Sequence, residues 1–293
     1  MAVVILDVGV EQGIGAGAQI AIFADGAEEL DDFDQAAARV EVADVKLARS
    51  AARVKELSEG ATIEPGAQAV LYNPGAINLR SIVRLQTEGE GALPAEAGAA
   101  LRAAHDEAQF ADFVQWAETE ETADYIVAAN EEGYYVIWDG GGEVIPRIKP
   151  LLALNDDAAP PKVIERLIHL TRFRNVQQLS NNDSRAHGLP KVTFEWLDVL
   201  DDHFYTDGDE ARLLVRNDSD FDVEITILEL TPDWRISQIY PEDVANSYTY
   251  SSGEQDILEF EVYIEGNDKE ESSQLKLFAT IKGTNFRMLE LPS

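Results

Sequence analysis

The sequence contains no cysteine. Its absence excludes disulfide bonds, thiolate metal sites and cysteine nucleophiles together. Long apolar runs are also missing: residues 1–5 are apolar but Asp7 follows closely, and no later stretch reaches the roughly 18 uncharged residues that a membrane helix needs. We therefore expect a cytoplasmic protein with neither a membrane segment nor a targeting segment.

Basic residues are scarce. The chain has 23 Lys and Arg against 55 Asp and Glu, which gives a formal charge of −32 and a pI of about 4.3. Because a field of this sign repels phosphate groups, we expect no nucleic-acid partner and no anionic membrane partner. Two interpretations stay open: the acidic residues form a solvated surface that maintains solubility, or they steer a basic protein partner towards the chain.

Short β patterns fill the first third of the sequence. Residues 3–8 are apolar and β-branched, glycines follow at positions 13, 15 and 17, and alternation resumes at residues 18–23. Four more β-type runs lie at residues 38–47, 52–57, 67–72 and 77–85. The spacing predicts a small β-barrel over residues 1–90, closed by the last of these strands.

The middle of the chain, residues 91–185, predicts a β-meander with helices. Residues 94–108 have helical composition, and β patterns occupy residues 113–116, 123–128, 134–138 and 144–148. A helix over residues 161–179 is indicated by two prolines at its start and by one apolar stripe. The stripe consists of Val163, Leu167, Leu170, Phe173 and Val176.

The last third, residues 190–293, predicts a β-sandwich. Strand patterns recur about every ten residues with turn clusters between them. They lie at residues 192–199, 210–216, 222–230, 236–240, 257–264 and 274–280. With a domain boundary between Asn181 and Pro190, the sequence as a whole predicts a mainly β protein with minor α content.

Two loops invite comparison with ligand sites. The glycines at positions 13–17 are followed by a strand pattern and by no Lys-Ser or Lys-Thr pair, so a turn is favoured over a nucleotide-binding loop. Five oxygen-bearing residues are clustered as in a calcium loop but lack the glycine at its sixth position. They are Asn217, Asp218, Asp220, Asp222 and Glu224. A solvated loop followed by a strand edge is favoured there, with metal binding as the alternative.

Histidines and aromatic residues give no catalytic pattern. His105, His169, His187 and His203 are far apart in sequence, with neither metal-ligand nor triad spacing. Aromatic residues on predicted strands are expected to pack in the core or across strands. The sequence therefore predicts no catalytic residue, no metal site and no cofactor.

Three stretches carry a family resemblance. The first is RLIHLTRFRNVQQLSN at residues 166–181, the second is LLVRN at 213–217 with VEITILELTPDWRISQIYP at 223–241, and the third is LKLFAT at 275–280 with TNFR at 284–287 and LELP at 289–292. Together they resemble the C-terminal, non-catalytic region of bacterial caspase-like (metacaspase-type) cysteine peptidases. In that region a helix precedes a terminal β-domain with Asp-Trp, Tyr-Pro, Phe-Arg and Leu-Pro pairs. The resemblance covers about residues 160–292.

The chain departs from the family in its catalytic parts. The family dyad is a His followed by Gly and a Cys in a conserved loop, whereas this chain has no Cys, and its one His-Gly pair, His187-Gly188, lies in a polar linker. The resemblance thus implies a non-enzymatic accessory protein, which is a processed tail, a binding partner or a substrate of such a peptidase. It would regulate the peptidase or present substrate in bacterial defence or stress signalling.

The resemblance implies a caspase-like cysteine peptidase or its basic segments as the partner. It also implies that such peptidases prefer basic residues at the cleavage site. Expected contact residues are Arg172, Phe173, Arg174, Trp234 and Tyr240. Two alternatives stay open. One is a ligand-binding β-sandwich module with an aromatic cleft, and the other is a hydrolase that acts through carboxylates.

Overall fold

A computed structural model of the chain describes residues 2–8, 14–15, 17–27, 35–46, 49–58, 60–73, 80–117, 123–179, 189–197, 205, 207–242, 246–263, 272–281 and 285–292. Of the described residues, 41% lie in strands and 17% in helices, so the prediction of a mainly β protein with minor α content is confirmed. The chain forms two compact units, Met1–Asn181 and Asn182–Ser293. The division into three domains that the sequence suggested stays a prediction.

The first sheet of unit 1 is a curled half-barrel of five antiparallel strands in the order β1-β4-β3-β2-β5. The strands are β1 (Val3–Leu6), β2 (Gln19–Phe23), β3 (Ala38–Val45), β4 (Ser50–Leu57) and β5 (Gln68–Asn73). Alternation along β3 buries Ala38, Val40 and Val42 on one face. Two register shifts between β3 and β4 are consistent with the curl of the sheet, because bulges bend strands and increase their twist.

The predicted closing strand of the barrel belongs to another sheet. Ser81–Leu85 forms β6, which pairs in parallel with β7 (Val114–Trp116) and with β8 (Tyr125–Ala129). The prediction that this strand closes the barrel is therefore wrong for residues 81–85, and residues 77–79 lie outside the described part. The helix that follows β6 allows this parallel pairing, because parallel neighbours need a long crossover connection.

The second sheet of unit 1 has the order β10-β9-β8-β6-β7, where β9 is Tyr134–Asp139 and β10 is Leu152–Ala153. It differs from the predicted meander in two details. Strand β7 neighbours β6 instead of β8, and the predicted strand at residues 144–148 has one isolated bridge, Trp138 to Val144. A left-handed φ of 61° at Arg147 is incompatible with an extended strand there.

Two helices accompany the second sheet, α1 (Ala95–Glu107) and α2 (Ala159–Gln178), at the positions that the sequence predicts. Helix α1 approaches β6 closely, since a Cβ at Gly98 would lie 3.5 Å from the Leu85 side chain. The Tyr125 hydroxyl on β8 donates to the Leu170 carbonyl of α2 at 3.2 Å. All five residues of the predicted apolar stripe are buried in α2. No helix in the described part of the chain is long and apolar enough to cross a membrane.

Unit 2 is built from two antiparallel sheets around one core. One sheet has the order β11-β12-β16, and in the other β13 pairs with β14 and β15 along one edge and with β17 along the opposite edge. The strands are β11 (Val192–Trp196), β12 (Glu210–Asn217), β13 (Val223–Leu230), β14 (Ile236–Tyr240), β15 (Tyr248–Tyr250), β16 (Gln255–Glu261) and β17 (Gln274–Thr280). Leu213 and Val215 of β12 share a core with Val223, Ile225 and Ile227 of β13, as in a β-sandwich.

Candidate functional site

The three expected contact residues of α2 are used within unit 1. Phe173 is only 5% exposed, so its ring offers almost no surface to a partner. The Arg172 guanidinium lies over the Phe110 ring at 5.6 Å, and the Arg174 guanidinium forms an ion pair of 2.6 Å with Asp124. The apolar stripe that drew attention to this helix is a core-facing stripe.

Trp234 lies in the turn between β13 and β14. Its backbone φ is 70°, an uncommon conformation for a residue with a side chain. The turn is closed by hydrogen bonds from the Trp234 amide to the Thr231 carbonyl at 3.1 Å and from the Thr231 amide to the Arg235 carbonyl at 3.0 Å. Trp234 is therefore a half-buried residue of a tight turn.

Tyr240 belongs to a group of three tyrosines. It ends β14 opposite Ile227 of β13, while Tyr248 of β15 lies opposite Ile225 of the same strand. The ring centroids of Tyr240 and Tyr248 are 5.9 Å apart, those of Tyr240 and Tyr250 6.3 Å, and those of Tyr248 and Tyr250 5.3 Å. The interplanar angles of 51–75° are those of tilted and edge-to-face pairs, which aromatic rings prefer.

The three rings pass from the core to the surface. Tyr250 is fully buried, Tyr240 is half-buried and Tyr248 is 44% exposed. The Tyr240 and Tyr250 hydroxyls share a hydrogen bond of 3.0 Å. Burial raises the pKa of both phenols, and the nearby Asp256 carboxylate raises them further, so both are neutral at pH 7.

Asp256 completes the group from the facing sheet. It pairs in register with Val215 of β12, a fully buried core residue, and directly paired residues of antiparallel strands point to the same face. The carboxylate is nevertheless exposed, because β16 is the last strand of the described sheet. Among the described residues, no lysine or arginine forms an ion pair with it. We call Tyr240, Tyr248, Tyr250 and Asp256 the tyrosine edge.

Two polar residues hold β15 in place. The buried Asn217 amide donates to the Tyr250 carbonyl at 3.0 Å and to the Phe221 carbonyl at 2.8 Å, and its oxygen accepts from the Ser219 amide at 2.9 Å. Glu224 of β13 accepts from the Ser247 hydroxyl at 2.7 Å and from the Thr249 hydroxyl at 3.1 Å. These bonds fix the strand that carries Tyr248 and Tyr250.

The calcium-like cluster of the sequence does not converge on a central point. Asn217 and Glu224 make the bonds just described, and Asp218 accepts from Thr193 Oγ1 at 2.5 Å and from Arg216 Nε at 2.6 Å. These two hydrogen bonds lower the pKa of Asp218. The described residues contain no group of three or more His, Asp and Glu side chains that could hold a metal ion.

The glycine loop and two of the histidines lie apart from the tyrosine edge in sequence. Gly17 has a φ of 85° and its amide donates to the Val42 carbonyl at 2.8 Å, as in a turn between strands, while Gly13 lies outside the described residues. His105 and His169 lie on α1 and α2, and His187 and His203 are outside the described part.

Comparison of the chain with protein-family models, with curated proteins and with solved structures found no significant match. The fold and the site therefore stand on their own geometry. They define a two-unit, mainly β protein whose second unit carries an exposed aromatic and acidic edge.

Tyr240 is among the contacts expected from the sequence, but its neighbours in the tyrosine edge are not. Tyr248 and Tyr250 lie in a strand of only three residues, which is too short for an alternation signal. The repeat Tyr-Thr-Tyr at residues 248–250 was the one available signal, since both rings of such a repeat point to the same face of a strand. Asp256 could be found only from the register of β16.

Proposed function

We propose that this chain is a non-catalytic accessory protein that binds a caspase-like cysteine peptidase through basic segments of that peptidase. The observation that carries the proposal is the tyrosine edge, where partly exposed rings lie within electrostatic range of the Asp256 carboxylate, which has no ion pair among the described residues. Surfaces of this composition attract cationic side chains. The three stretches that resemble the C-terminal region of caspase-like peptidases supply the class of partner.

The net charge supports the same proposal. A charge of −32 attracts a basic partner, and at physiological ionic strength salt screens this attraction with a screening length of about 8 Å. Attraction of this kind acts mainly on the association rate. Because Arg172, Phe173 and Arg174 are engaged within unit 1, the proposal assigns the contact to unit 2 and not to helix α2.

The second candidate is a ligand-binding β-sandwich module, and the same tyrosine edge favours it. The partly exposed phenols of Tyr240 and Tyr248 form an amphipathic surface that also suits a small cationic ligand. The two candidates differ in their partner, which is a protein in the first and a small molecule in the second. A carboxylate-based hydrolase has no specific observation in its favour among the described residues.

The proposal is tested by titrating the purified chain against a caspase-like peptidase from the same genome at low and at high salt. We expect binding at low salt and an association rate that falls as salt rises. No binding under either condition would remove the peptidase from the proposal. Binding that is insensitive to salt would keep the partner and discard the electrostatic contribution.

The non-catalytic role has its own test. The chain alone is expected not to cleave peptides that end in Arg or Lys, because it has no thiol to form the attacking thiolate. Cleavage that persists after rigorous repurification and after replacement of all four histidines would contradict this expectation.

A further inference from the structure

The tyrosine edge has features that select one kind of cation. We infer that it binds the guanidinium group of an arginine side chain in a basic segment of the partner. This inference rests on the proposed function, in which the chain binds a basic segment of the peptidase.

The exposed rings offer a surface for a planar cation. Tyr248 is 44% exposed and Tyr240 is half-buried, with their centroids 5.9 Å apart and their planes at 60°. A cation is attracted when it lies within about 6 Å of a ring centroid. One guanidinium can therefore stack on Tyr248 while it contacts the neighbouring ring of Tyr240.

Asp256 provides the matching negative charge. It faces the sandwich interior by register, acts electrostatically on Tyr240 and Tyr250, and has no ion pair with a described lysine or arginine. An arginine can donate two parallel hydrogen bonds to one carboxylate, and it is more weakly hydrated than lysine. Stacking and pairing together favour arginine over lysine.

The strand that carries the rings is preorganised. The Asn217 amide holds the Tyr250 carbonyl, and Glu224 holds the hydroxyls of Ser247 and Thr249 on either side of Tyr248. A site that is already fixed loses less conformational entropy when a ligand binds. The edge can thus bind one exposed side chain without first having to fold around it.

A structural role for Asp256 gives a different expectation. Inward-pointing charges on edge strands protect sheets from pairing with other sheets. If Asp256 serves only this purpose, its replacement promotes self-association and leaves the binding of arginine unchanged. The experiment below separates the two roles.

The experiment uses three peptides with the same Gly-Ser scaffold and a central arginine, lysine or citrulline. Binding to the full chain is measured by calorimetry and by NMR shifts of the tyrosine rings, up to millimolar peptide. We expect the arginine peptide to bind more tightly than the lysine peptide, and the uncharged citrulline peptide to bind least. Tyr248→Ser and Asp256→Asn should each weaken the arginine peptide about two- to fivefold.

A matched control is available in the same unit. Tyr263 is 64% exposed and its hydroxyl donates a hydrogen bond to the Glu261 carboxylate, but Tyr263 is not part of the tyrosine edge. Tyr263→Ser should leave binding of the arginine peptide unchanged. Thermal unfolding of each variant checks that the fold is retained.

Several results would overturn the inference. These are equal binding of the arginine and citrulline peptides, equal binding of the arginine and lysine peptides, or an equal loss in Tyr248→Ser and Tyr263→Ser. If Tyr248→Ser binds the peptidase as the wild type does, the site is wrong while the proposed function stands. If the arginine peptide binds as expected and the peptidase does not, the site stands and the proposed function fails.

Discussion

Asn217 shows how one buried amide can hold a turn and a neighbouring strand together. It is fully buried, and both of its polar atoms are bonded to backbone groups of three other residues. Replacement by alanine would remove all three of these hydrogen bonds. We expect Asn217→Ala to lower the free energy of unfolding of unit 2 by about 2–4 kcal/mol.

Urea titration followed by near-ultraviolet circular dichroism of the tyrosines measures this loss. Gln255→Ala, an exposed change at the start of the neighbouring strand β16, is the control and should stay within about 0.5 kcal/mol of the wild type. A loss in Asn217→Ala no larger than that of the control would contradict the assigned role.

Tyr125 links protonation to stability in unit 1. Burial raises its pKa to about 12, and its hydroxyl donates to the Leu170 carbonyl at 3.2 Å. Since the folded pKa lies above the ordinary value of about 10, the stabilising effect is complete below pH 10 and is lost as the pH rises towards 12. Between pH 10 and pH 12 the free energy of unfolding should fall by about 2–3 kcal/mol more in the wild type than in Tyr125→Phe, because the variant has no phenol at this position to ionise.

The measurement compares urea unfolding of the two proteins at pH 9 and at pH 12. At pH 9 the Phe variant should be less stable by about 0.5–1.5 kcal/mol, because it lacks one hydrogen bond. Parallel loss of stability in both proteins between these pH values would argue against the role of Tyr125.

At the scale of elements, two glycines before α1 form a natural pair for a test. Gly91 and Gly89 have positive φ values of 71° and 78°, so alanine is strained at either position. A Cβ at Gly91 would also lie 2.6 Å from the Trp138 ring of β9, whereas at Gly89 nothing lies within 4 Å. We expect Gly91→Ala to lower the melting temperature clearly more than Gly89→Ala does.

Thermal denaturation of both variants provides the comparison. Gly89→Ala should destabilise by about 1 kcal/mol from backbone strain, and the difference between the variants reports the contact with Trp138. Equal shifts would mean that the loop moves away from β9 at no further cost.

The sequence predicts elements better than it predicts their neighbours. The bounds of β14 and β17 agree with the predicted strands at residues 236–240 and 274–280, because alternation and turns are local signals. The sheet that contains β6 was not predictable in this way, since its partners lie beyond a helix. Likewise the stripe on α2 correctly located Phe173 on one face, but periodicity alone does not say whether that face meets a core or a partner.

The candidate site illustrates the same limit. Tyr240 was among the contact residues expected from the sequence, whereas Asp256 joins it only through the register of β16 against β12. That register depends on the pairing of residues 210–216 with residues 255–261, which are distant in sequence. A one-residue slip would turn Asp256 to the other face of the sheet.

For the whole molecule, the charge of −32 predicts a salt-dependent stability. Excess like charge destabilises the compact state by self-repulsion, and added salt shortens the screening length from about 30 Å at 0.01 M to about 8 Å at 0.15 M. We expect sodium chloride in this range to raise the melting temperature at pH 7 by a few degrees. A melting temperature that stays constant or falls would show that the folded charges are already compensated.

The parallel pairing of β6 has a consequence for synthesis on the ribosome. Strand β6 ends at Leu85, but its neighbour β8 ends only at Ala129. At about 5–20 residues per second, β6 waits about 2–9 s for its second neighbour after it is translated. During that interval the edge of β6 that pairs with β8 is unprotected, so the nascent chain should recruit a holding chaperone at this point and release it once β8 emerges.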